Sequence, residues 1–380
     1  MSGKPRMKRP AARCACLALL LATTLAGCHL IFRYEDTPAD AAAPPDKAGR
    51  DSASRKDLPW APDFPGNPDK AQAKDKGVIR TIIPNKTMNT PSGTKDLLAI
   101  WGKSASEVHV VGEDATLLKW AGKSWDKISI SSSGSDEDFT GVWGSGVGTY
   151  KLYISTSKGK VRTYEPGSGK WAVAHDGNED LNGIHGSTGG TIQAVGEDGT
   201  LVHNPGGVWA KKDINITDDL NSLWSFPSGE SFLVGNSGRV MCRFSIVGLG
   251  WTWLPKQIVS PCKWQALWGA SASQVYAVGP SSCTTGLSST SAGCGSFAFS
   301  PGTKADWYGI WGNSKDEIFL VGHNPASPGN APIVRRAGTS GWSSHSRNVA
   351  GLASVTLRGV WGDDKGKLYI VGHDGVILEN

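Results

Sequence analysis

A short motif recurs seven times between residue 97 and residue 372, and it constrains the fold more than any other feature of the chain. A complete copy reads Leu357-Arg-Gly-Val-Trp-Gly362, and a Val-Gly pair closes six copies eleven residues after the Trp position. That position is occupied, at intervals of 39 to 50 residues, by Trp101, Trp143, His185, Trp224, Trp268, Trp311 and Trp361. A glycine-rich repeat of this length, made of short β-type runs, is typical of a four-stranded propeller blade. The sequence therefore predicts an all-β fold, a seven-bladed β-propeller.

The positions before the tryptophan indicate which residues form the core. Four residues before it the side chain is large and apolar, two before it small, and one before it branched and apolar. Trp264 and Trp307 replace the usual leucine at the first of these positions, so we expect these two indoles to reach the channel mouth. In the second copy, Ser155 takes the place of the closing glycine.

Two incomplete ends of the repeat region complement each other. The last copy ends at Val376-Ile-Leu378 without a fourth strand, and the apolar run at residues 78–83 precedes the first copy. Because an open ring leaves strand edges unpaired, we expect residues 78–83 to supply the outer strand of the seventh blade. The propeller is then predicted to span residues 78–380.

The N-terminus has the pattern of an export signal. Residues 1–27 contain a basic stretch and then a short apolar run, which is too short to span a membrane. The ending Leu25-Ala-Gly-Cys28 resembles the lipobox of bacterial lipoproteins, which implies lipid on Cys28. An ordinary cleaved signal is the alternative. Residues 28–77, rich in Pro, Ala, Asp and Lys, are predicted to be a disordered tether. The expected location is the bacterial cell envelope, at the outer membrane, with the membrane bound through the lipid.

The net charge argues against nucleic-acid binding. The formal charge is +5, but the five basic residues of positions 1–27 account for all of it, leaving 34 basic and 34 acidic residues. The mature chain therefore lacks the broad basic surface that a nucleic acid requires.

Four cysteines follow the predicted tether, an even number that suggests two disulfides in an exported protein. Cys242 and Cys262 fall on the third strand and near the fourth strand of blade 4, and Cys283 and Cys294 bracket one loop of blade 5. We therefore expect the pairs 242–262 and 283–294. A zinc site is the alternative, but no Cys-x-x-Cys pair is present.

Polar side chains three residues before the Trp position are the first candidates for ligand binding. They fall near the start of the innermost strand, so they are expected to form a ring at one channel mouth. The candidates are Thr140, Asn182, Asn221, Gln265, Tyr308 and Arg358, with Leu98 in the first copy. The alternative is that these positions are polar only because water fills the channel.

Two further candidates and two long loops lie on the same face. His323 and His373 directly follow the Val-Gly pairs of blades 6 and 7. A stapled loop of about sixteen residues after Gly279, and a longer turn after Gly322, are expected to form one wall of a site over blades 5 to 7. The acidic segment 135–138 lacks the spacing of a calcium loop and is interpreted as a solvated turn. No catalytic residue, metal site or cofactor is predicted.

The seven repeats resemble the propellers of bacterial surface lipoproteins and, more distantly, those of photosystem-assembly factors and of sialidase-type Asp-box proteins. The segment 197–200 keeps only a fragment of an Asp box, so the resemblance implies a fold and no activity. We expect a monomeric, non-enzymatic scaffold that recognises an envelope protein or glycan through one propeller face. The alternatives are a hydrolase or lyase acting on an envelope glycan, and a purely structural lipoprotein.

Overall fold

The structure is a computed structural model that describes residues 84, 86–130, 136–145, 150–187, 191–246, 250–257, 262–290, 293–338, 341–348 and 354–380. The predicted signal peptide, Cys28, the tether and the run at 78–83 lie outside these residues, so those expectations stay predictions. Within the described part of the chain, no helix has the length and apolarity that crossing a membrane requires.

Seven four-stranded antiparallel sheets form the fold, which confirms the seven-bladed β-propeller. Blade 1 contains β2 (Leu97–Ser104), β3 (Glu107–Gly112), β4 (Thr116–Trp120) and β5 (Trp125–Lys127). Blade 2 contains β6 (Phe139–Ser145), β7 (Lys151–Thr156), β8 (Lys160–Glu165) and β9 (Lys170–Asp176). Blade 3 contains β10 (Leu181–Gly186), β11 (Ile192–Gly196), β12 (Leu201–His203) and β13 (Ala210–Lys211).

The remaining blades follow in chain order. Blade 4 contains β14 (Leu220–Ser225), β15 (Ser231–Gly235), β16 (Arg239–Ile246) and β17 (Gly250–Gln257). Blade 5 contains β18 (Ala266–Ser271), β19 (Gln274–Gly279), β20 (Cys283–Thr290) and β21 (Gly293–Phe297). Blade 6 contains β22 (Asp306–Ser314), β23 (Glu317–His323), β24 (Asn330–Ala337) and β25 (Trp342–Asn348). Blade 7 contains β26 (Leu357–Gly362), β27 (Leu368–Gly372), β28 (Ile377–Glu379) and β1 (Lys86–Thr87).

The N-terminal strand closes the ring as expected, but three residues later than the predicted run. β1 pairs with β28 through Lys86↔Glu379 and Thr87↔Leu378, and the Lys86 ammonium lies 2.7 Å from the Glu379 carboxylate. The closing strand was placed at residues 78–83, which the structure does not describe.

Neighbouring blades interlock through the Trp-Gly pair. The indole of one blade lies over the glycine that follows the Trp position of the next blade, as Trp101 lies over Gly144 and Trp361 over Gly102. At six of the seven interfaces a Cβ added to that glycine would come within 2.2 to 3.0 Å of indole atoms, far inside contact distance. Each indole therefore requires a residue without a side chain in the adjacent blade.

The interface between blades 3 and 4 is the one exception, and its two departures from the repeat compensate each other. His185 replaces the tryptophan, and Ser225 of the next blade replaces the glycine. The smaller imidazole leaves room for the serine Cβ, and its Nδ1 accepts a hydrogen bond from the Ser225 backbone N–H at 3.2 Å. His185 lies between Trp143 and Trp224, with ring centroids 4.1 and 4.2 Å apart. Burial lowers the pKa of His185 to about 3, so the imidazole is neutral.

The large apolar residues four positions before the Trp position are core residues, as expected. This includes Trp264 and Trp307, which are 1% and 0% exposed, so the expectation that they reach the channel mouth is wrong. They pack between blades because this position faces the neighbouring sheet in every copy.

The glycine that closes a copy is required because the backbone before the first strand leaves no room for a side chain. A Cβ on Gly112 would lie 2.0 Å from the Asp96 carbonyl oxygen, and the equivalent glycines of five other blades show the same approach. In blade 2 the strand pairing puts Thr156, and not Ser155, at this position, because Phe139 pairs with Thr156 as Leu97 pairs with Gly112. Assigning Ser155 to it was therefore wrong by one residue.

The disulfides join Cys242 to Cys294 and Cys262 to Cys283, so the expected pairing is wrong. Cys242 faces Leu254 across its own sheet and meets β21 of blade 5 on the other side. Cys262 lies at the entry to blade 5, beside the turn that leads into β20. The first bridge therefore joins blade 4 to blade 5. The second joins the segment between these two blades to the third strand of blade 5.

We predict that His185 and Ser225 are energetically coupled. His185→Trp alone forces an indole against the serine side chain and should lower the free energy of unfolding by about 1–3 kcal/mol. Adding Ser225→Gly should restore most of that loss, because it recreates the contact of the other six interfaces. Urea denaturation of the wild type, both single variants and the double variant measures the coupling. Strictly additive losses would contradict the interlock.

The disulfide assignment makes a separate prediction. Peptide mapping without reduction should recover the 242–294 and 262–283 links. Replacing Cys262 and Cys283 by serine should lower the free energy of unfolding by about 3 kcal/mol, and replacing Cys242 and Cys294 by about 4 kcal/mol, because the second bridge closes the longer loop. Recovery of a 242–262 link would refute the assignment.

Candidate recognition site at one mouth of the ring

One face of the ring collects the starts of the inner strands and the turns that follow the closing glycines. Leu97 pairs with Gly112 at the start of β2, and the Glu113 backbone N–H donates to the Asp96 carbonyl at 3.0 Å. The same bond recurs in blades 2, 3, 4 and 7. We call this surface the mouth face.

A β-bulge places the candidate ring residues on this face. In six inner strands the residue three before the Trp position is unpaired, because its two neighbours oppose consecutive residues of the second strand. The unpaired residues are Leu98, Thr140, Asn182, Asn221, Tyr308 and Arg358. A bulge redirects the side chain of its extra residue, and all six are half-buried. Gln265, the seventh, lies just before β18.

Three of the candidates hold blades together. Thr140 Oγ1 donates to the Leu181 carbonyl at 2.6 Å, and Asn182 Nδ2 donates to the Leu220 carbonyl at 3.0 Å. Asn221 Nδ2 donates to the Trp264 carbonyl at 2.8 Å. In each case the acceptor belongs to the next blade, so these side chains satisfy backbone groups at an interface.

An aspartate five residues before the Trp position shapes the mouth face, and the sequence analysis missed it. It occurs in five of the seven copies, as Asp96, Asp138, Asp180, Asp219 and Asp306. Four of these carboxylates accept a backbone N–H from the turn of the preceding blade, for example Asp114 N to Asp138 Oδ1 at 3.1 Å. The capped residues have φ of 50° to 56°, so the carboxylate fixes a strained turn. Alignment of the copies would have revealed the residue.

The turns of blades 1 and 3 make part of the mouth face acidic. Burial, followed by the neighbouring Asp96 and Asp138 carboxylates, raises the pKa of Glu113. Burial, followed by Asp180 and Asp219, raises the pKa of Glu197 in the same way. The turns of blades 1 and 3 therefore gather carboxylates on the mouth face.

Two of the candidate ring residues and one candidate histidine meet at blades 6 and 7. The Arg358 guanidinium carbon lies 4.5 Å from the centroid of the Tyr308 ring, within range of a cation–π contact. Arg358 Nε and Nη2 lie 3.2 and 3.0 Å from His373 Nε2. Asp96 of blade 1 joins them, with Oδ2 at 3.3 Å from the same His373 nitrogen. We call Asp96, Tyr308, Arg358 and His373 the Arg358 cluster.

The contacts of His373 decide the tautomer of its neutral form. Since Arg358 has only donors, the neutral imidazole accepts at Nε2, and its ring proton lies on Nδ1. Burial, and then the charge of Arg358, lower the pKa of His373 below its ordinary value of 6.5. Burial raises the pKa of Tyr308, so the phenol keeps its proton.

The other candidates lie apart from these contacts. His323 Nδ1 lies 3.2 Å from the Val355 carbonyl at the longer turn of blade 6, where the residues between His323 and Asn330 form the extended loop that was expected. The prediction of a stapled loop of about sixteen residues in blade 5 is wrong. The turn after Gly279 contains only Pro280, Ser281 and Ser282, and the residues beyond it form β20 and β21.

Of the acidic segment 135–138, which was expected to be a solvated turn, the structure describes residues 136–138, and only Asp136 is exposed there. Glu137 is 2% exposed and pairs with Arg162, whose Nε lies 2.5 Å from Oε1, and Asp138 caps the blade 1 turn. Across the described residues no group of three or more His, Cys, Asp or Glu side chains has a geometry suited to a metal ion.

The geometry of the cluster is suited to binding more than to acid–base catalysis. A general base needs an accessible lone pair within reach of the proton it removes, but the His373 lone pair faces two Arg358 donors. Asp96, in the cluster, and Asp306, two residues before Tyr308, each accept a backbone N–H of a turn.

The comparisons with known proteins support the fold. No protein-family model matches the chain, and no curated protein matches it. A structure of YCF48 bound to D1 peptide is 15% identical, with a TM-score of 0.61, covering 83% of this chain and 97% of that one. A catalytically inactive virginiamycin B lyase from Staphylococcus aureus with quinupristin is 10% identical, with a TM-score of 0.61, covering 77% and 97%. The WD40 β-propeller domain of Doa1 is 10% identical, with a TM-score of 0.61, covering 78% and 95%. At these identities the similarity shows the propeller fold alone.

Some residues of the candidate ring hold neighbouring blades together and others do not, and this difference is testable. Asn182→Ala leaves the Leu220 carbonyl without its donor and should lower the free energy of unfolding by about 1–3 kcal/mol. Gln265→Ala, at the matching position of blade 5, should change it by less than about 0.5 kcal/mol. Chemical denaturation measures both. Equal effects would mean that Asn182 is not a blade-to-blade contact.

Proposed function

We propose that this protein is a non-enzymatic binding scaffold that recognises a protein partner through the Arg358 cluster on its mouth face. The observation that carries the proposal is the contact of Tyr308 and Arg358 at two bulge positions of neighbouring blades. An aromatic ring and a guanidinium, both half-buried and both held in place, are the residue types that dominate binding at protein interfaces.

The scaffold supports recognition because it fixes the cluster before any partner arrives. Tyr308, Arg358 and His373 lie on or directly beside strands of blades 6 and 7, and Asp96 lies at the start of blade 1. Since inner strands and turns are tied to their neighbours, little ordering cost remains at binding. A protein of the same fold has been seen with a bound peptide, YCF48 with D1 peptide.

The alternative is a lyase, because virginiamycin B lyase shares the fold. The occupied lone pair of His373 favours binding over this alternative. A fold is also shared by many unrelated functions, so the similarity alone does not assign one.

We further propose that the scaffold acts in the bacterial envelope, at the outer membrane, with lipid on Cys28 and residues 28–77 as a tether. The sequence pattern of residues 1–28 supports this location, and the two disulfides suit an oxidising compartment. Mass spectrometry of the mature N-terminus tests the lipid directly.

The test of function is retention of envelope proteins by the full-length chain and by Tyr308→Ala plus Arg358→Ala. Removing both anchors should reduce retention of a specific partner at least about tenfold, since each is expected to cost more than 1 kcal/mol. Quantitative mass spectrometry of the retained proteins measures the ratio.

The matched control is Lys158→Gln, which removes one cation from an exposed turn of blade 2 on the same face. It should retain the partner as the wild type does. A partner retained equally by the double variant would place recognition elsewhere, and binding to a glycan array lost in the double variant would favour a glycan ligand.

A further inference from the structure

Arg358 differs from three other arginines of the propeller in what its guanidinium holds. Arg162, Arg239 and Arg335 each direct Nε and Nη2 at one carboxylate oxygen, of Glu137, Asp218 and Glu317 respectively. Arg358 directs the same two nitrogens at His373 Nε2. Among the described residues no carboxylate lies within ion-pair distance of it. A neutral nitrogen therefore occupies the place where the other three arginines hold an anion.

This arrangement leaves a half-buried cation without a counter-ion. The Nε and Nη2 edge is the one that takes a carboxylate in the paired, side-on geometry. The Tyr308 ring supports one face of the guanidinium and keeps it at the mouth. Desolvating a charge is unfavourable unless it is paired, so a carboxylate arriving at this edge would gain a strong partner.

The nitrogen at this edge, His373 Nε2, lies close to one group that can only donate and one that can only accept. His373 Nε2 lies 3.0 Å from Arg358 Nη2, which can only donate, and 3.3 Å from Asp96 Oδ2, which can only accept. Unprotonated, Nε2 accepts from Arg358. Once it takes a proton from solvent, Nε2–H must point at Asp96, and the Arg358 edge loses its acceptor.

We propose that Arg358 is the binding site for a carboxylate of the partner, and that protonation of His373 opens this site by moving the imidazole from Arg358 to Asp96. The inference names the chemical group recognised by the proposed mouth surface and in that sense rests on the proposed function. Small probes test it without any partner.

The surrounding charges set the direction of the pH effect. Asp96 and Asp374 favour the protonated imidazole, whereas burial, Arg358 and His323 disfavour it. Asp306 and Arg358 also act on Tyr308, whose pKa is raised, so this phenol stays neutral throughout. Because the pKa of His373 lies below 6.5, the site is closed at neutral pH and opens as the pH falls. A bound carboxylate would neutralise Arg358 and raise that pKa, as linkage requires.

Asp96 does not close the site by taking Arg358 for itself. Its Oδ1 accepts the Asp374 backbone N–H at 2.9 Å, which holds the carboxylate on the turn of blade 7. The His373 backbone N–H is held in turn by the Thr356 carbonyl at 3.0 Å. The imidazole is therefore the part of this cluster that is free to change partner.

The experiment follows the ring signals of ¹³C-labelled histidine in the full-length protein during titration with three peptides. Acetyl-Gly-Glu-Gly-amide carries only a side-chain carboxylate, acetyl-Gly-Gly-Gly carries only a terminal one, and acetyl-Gly-Gly-Gly-amide carries none. One or both acidic peptides should shift the His373 signal and raise its pKa, and the amide should do neither. The two acidic peptides distinguish the source of the carboxylate.

Affinity should rise by up to about tenfold between pH 7.5 and pH 6.5, because the open fraction grows tenfold per unit above the pKa. Arg358→Gln should weaken acidic-peptide binding at least about tenfold. Lys158→Gln, which removes the same charge from the same face, should leave it unchanged. His373→Phe removes the competing acceptor and also the reporting imidazole, so its peptide binding is measured by titration calorimetry and should be tight at both pH values. Thermal unfolding of each variant checks that it is folded.

Shifts that persist in Arg358→Gln, or that the neutral amide reproduces, would overturn the carboxylate site. Binding that requires Arg358 but is equal at both pH values would overturn the gating by His373. Failure of all three peptides, with partner retention still lost in the Tyr308 and Arg358 variant, would reject this inference and leave the proposed function standing.

Discussion

The ring depends on one repeated contact, in which, at six of the seven interfaces, the indole of one blade lies where the next blade has no side chain. The contact joins consecutive copies in series, so every blade has the same dependence on its neighbour. It explains why Trp and Gly are adjacent in the repeat: the tryptophan serves one interface and the glycine serves the other. The His185 and Ser225 pair follows the same rule, because a smaller ring and a larger neighbour change together and the imidazole accepts the backbone N–H that the new geometry presents.

The same interlock determines which residues remain for recognition. The residues four, two and one before the Trp position are used for core packing. The bulge residue, three before it, instead directs its side chain to the mouth face. In blades 2 to 4 that side chain donates to a carbonyl of the next blade, so it adds a second blade-to-blade contact. In blade 6 the same position carries Tyr308, whose contact in the next blade is the Arg358 side chain. Exchanging a backbone partner for a side-chain partner places a cation and an aromatic ring at the mouth.

The repeat spacing predicted the blade number, the need for an N-terminal closing strand and the burial of the large residues, since these follow from periodicity. The roles of the bulge residues could not be read from the sequence, because whether Asn182 faces the channel or the next blade depends on backbone register.

The prediction of the cysteine pairing failed for a related reason. Cys262 occupies the position six before the tryptophan, where blades 2 and 4 carry Glu137 and Asp218. Those acids pair with arginines of the third strand, and Cys262 is bonded to a third-strand cysteine in the same way. Aligning the copies at that position would have favoured the observed bridge.

The Arg358 cluster crosses the seam at which the ring closes, and this ties the proposed recognition surface to folding. Arg358 and His373 belong to the last blade, whereas Asp96 lies at the entry to the first. Their contact therefore forms only when the two ends of the propeller meet. Closure itself rests on the two residue pairs of β1 with β28 and on the packing of the inner strands β26 and β2. A cluster built inside one blade would survive partial opening of the ring. One built across the seam loses Asp96, the acceptor that His373 needs in its protonated form, as soon as the ends separate. The charge balance of the mouth is thus complete only in the closed propeller.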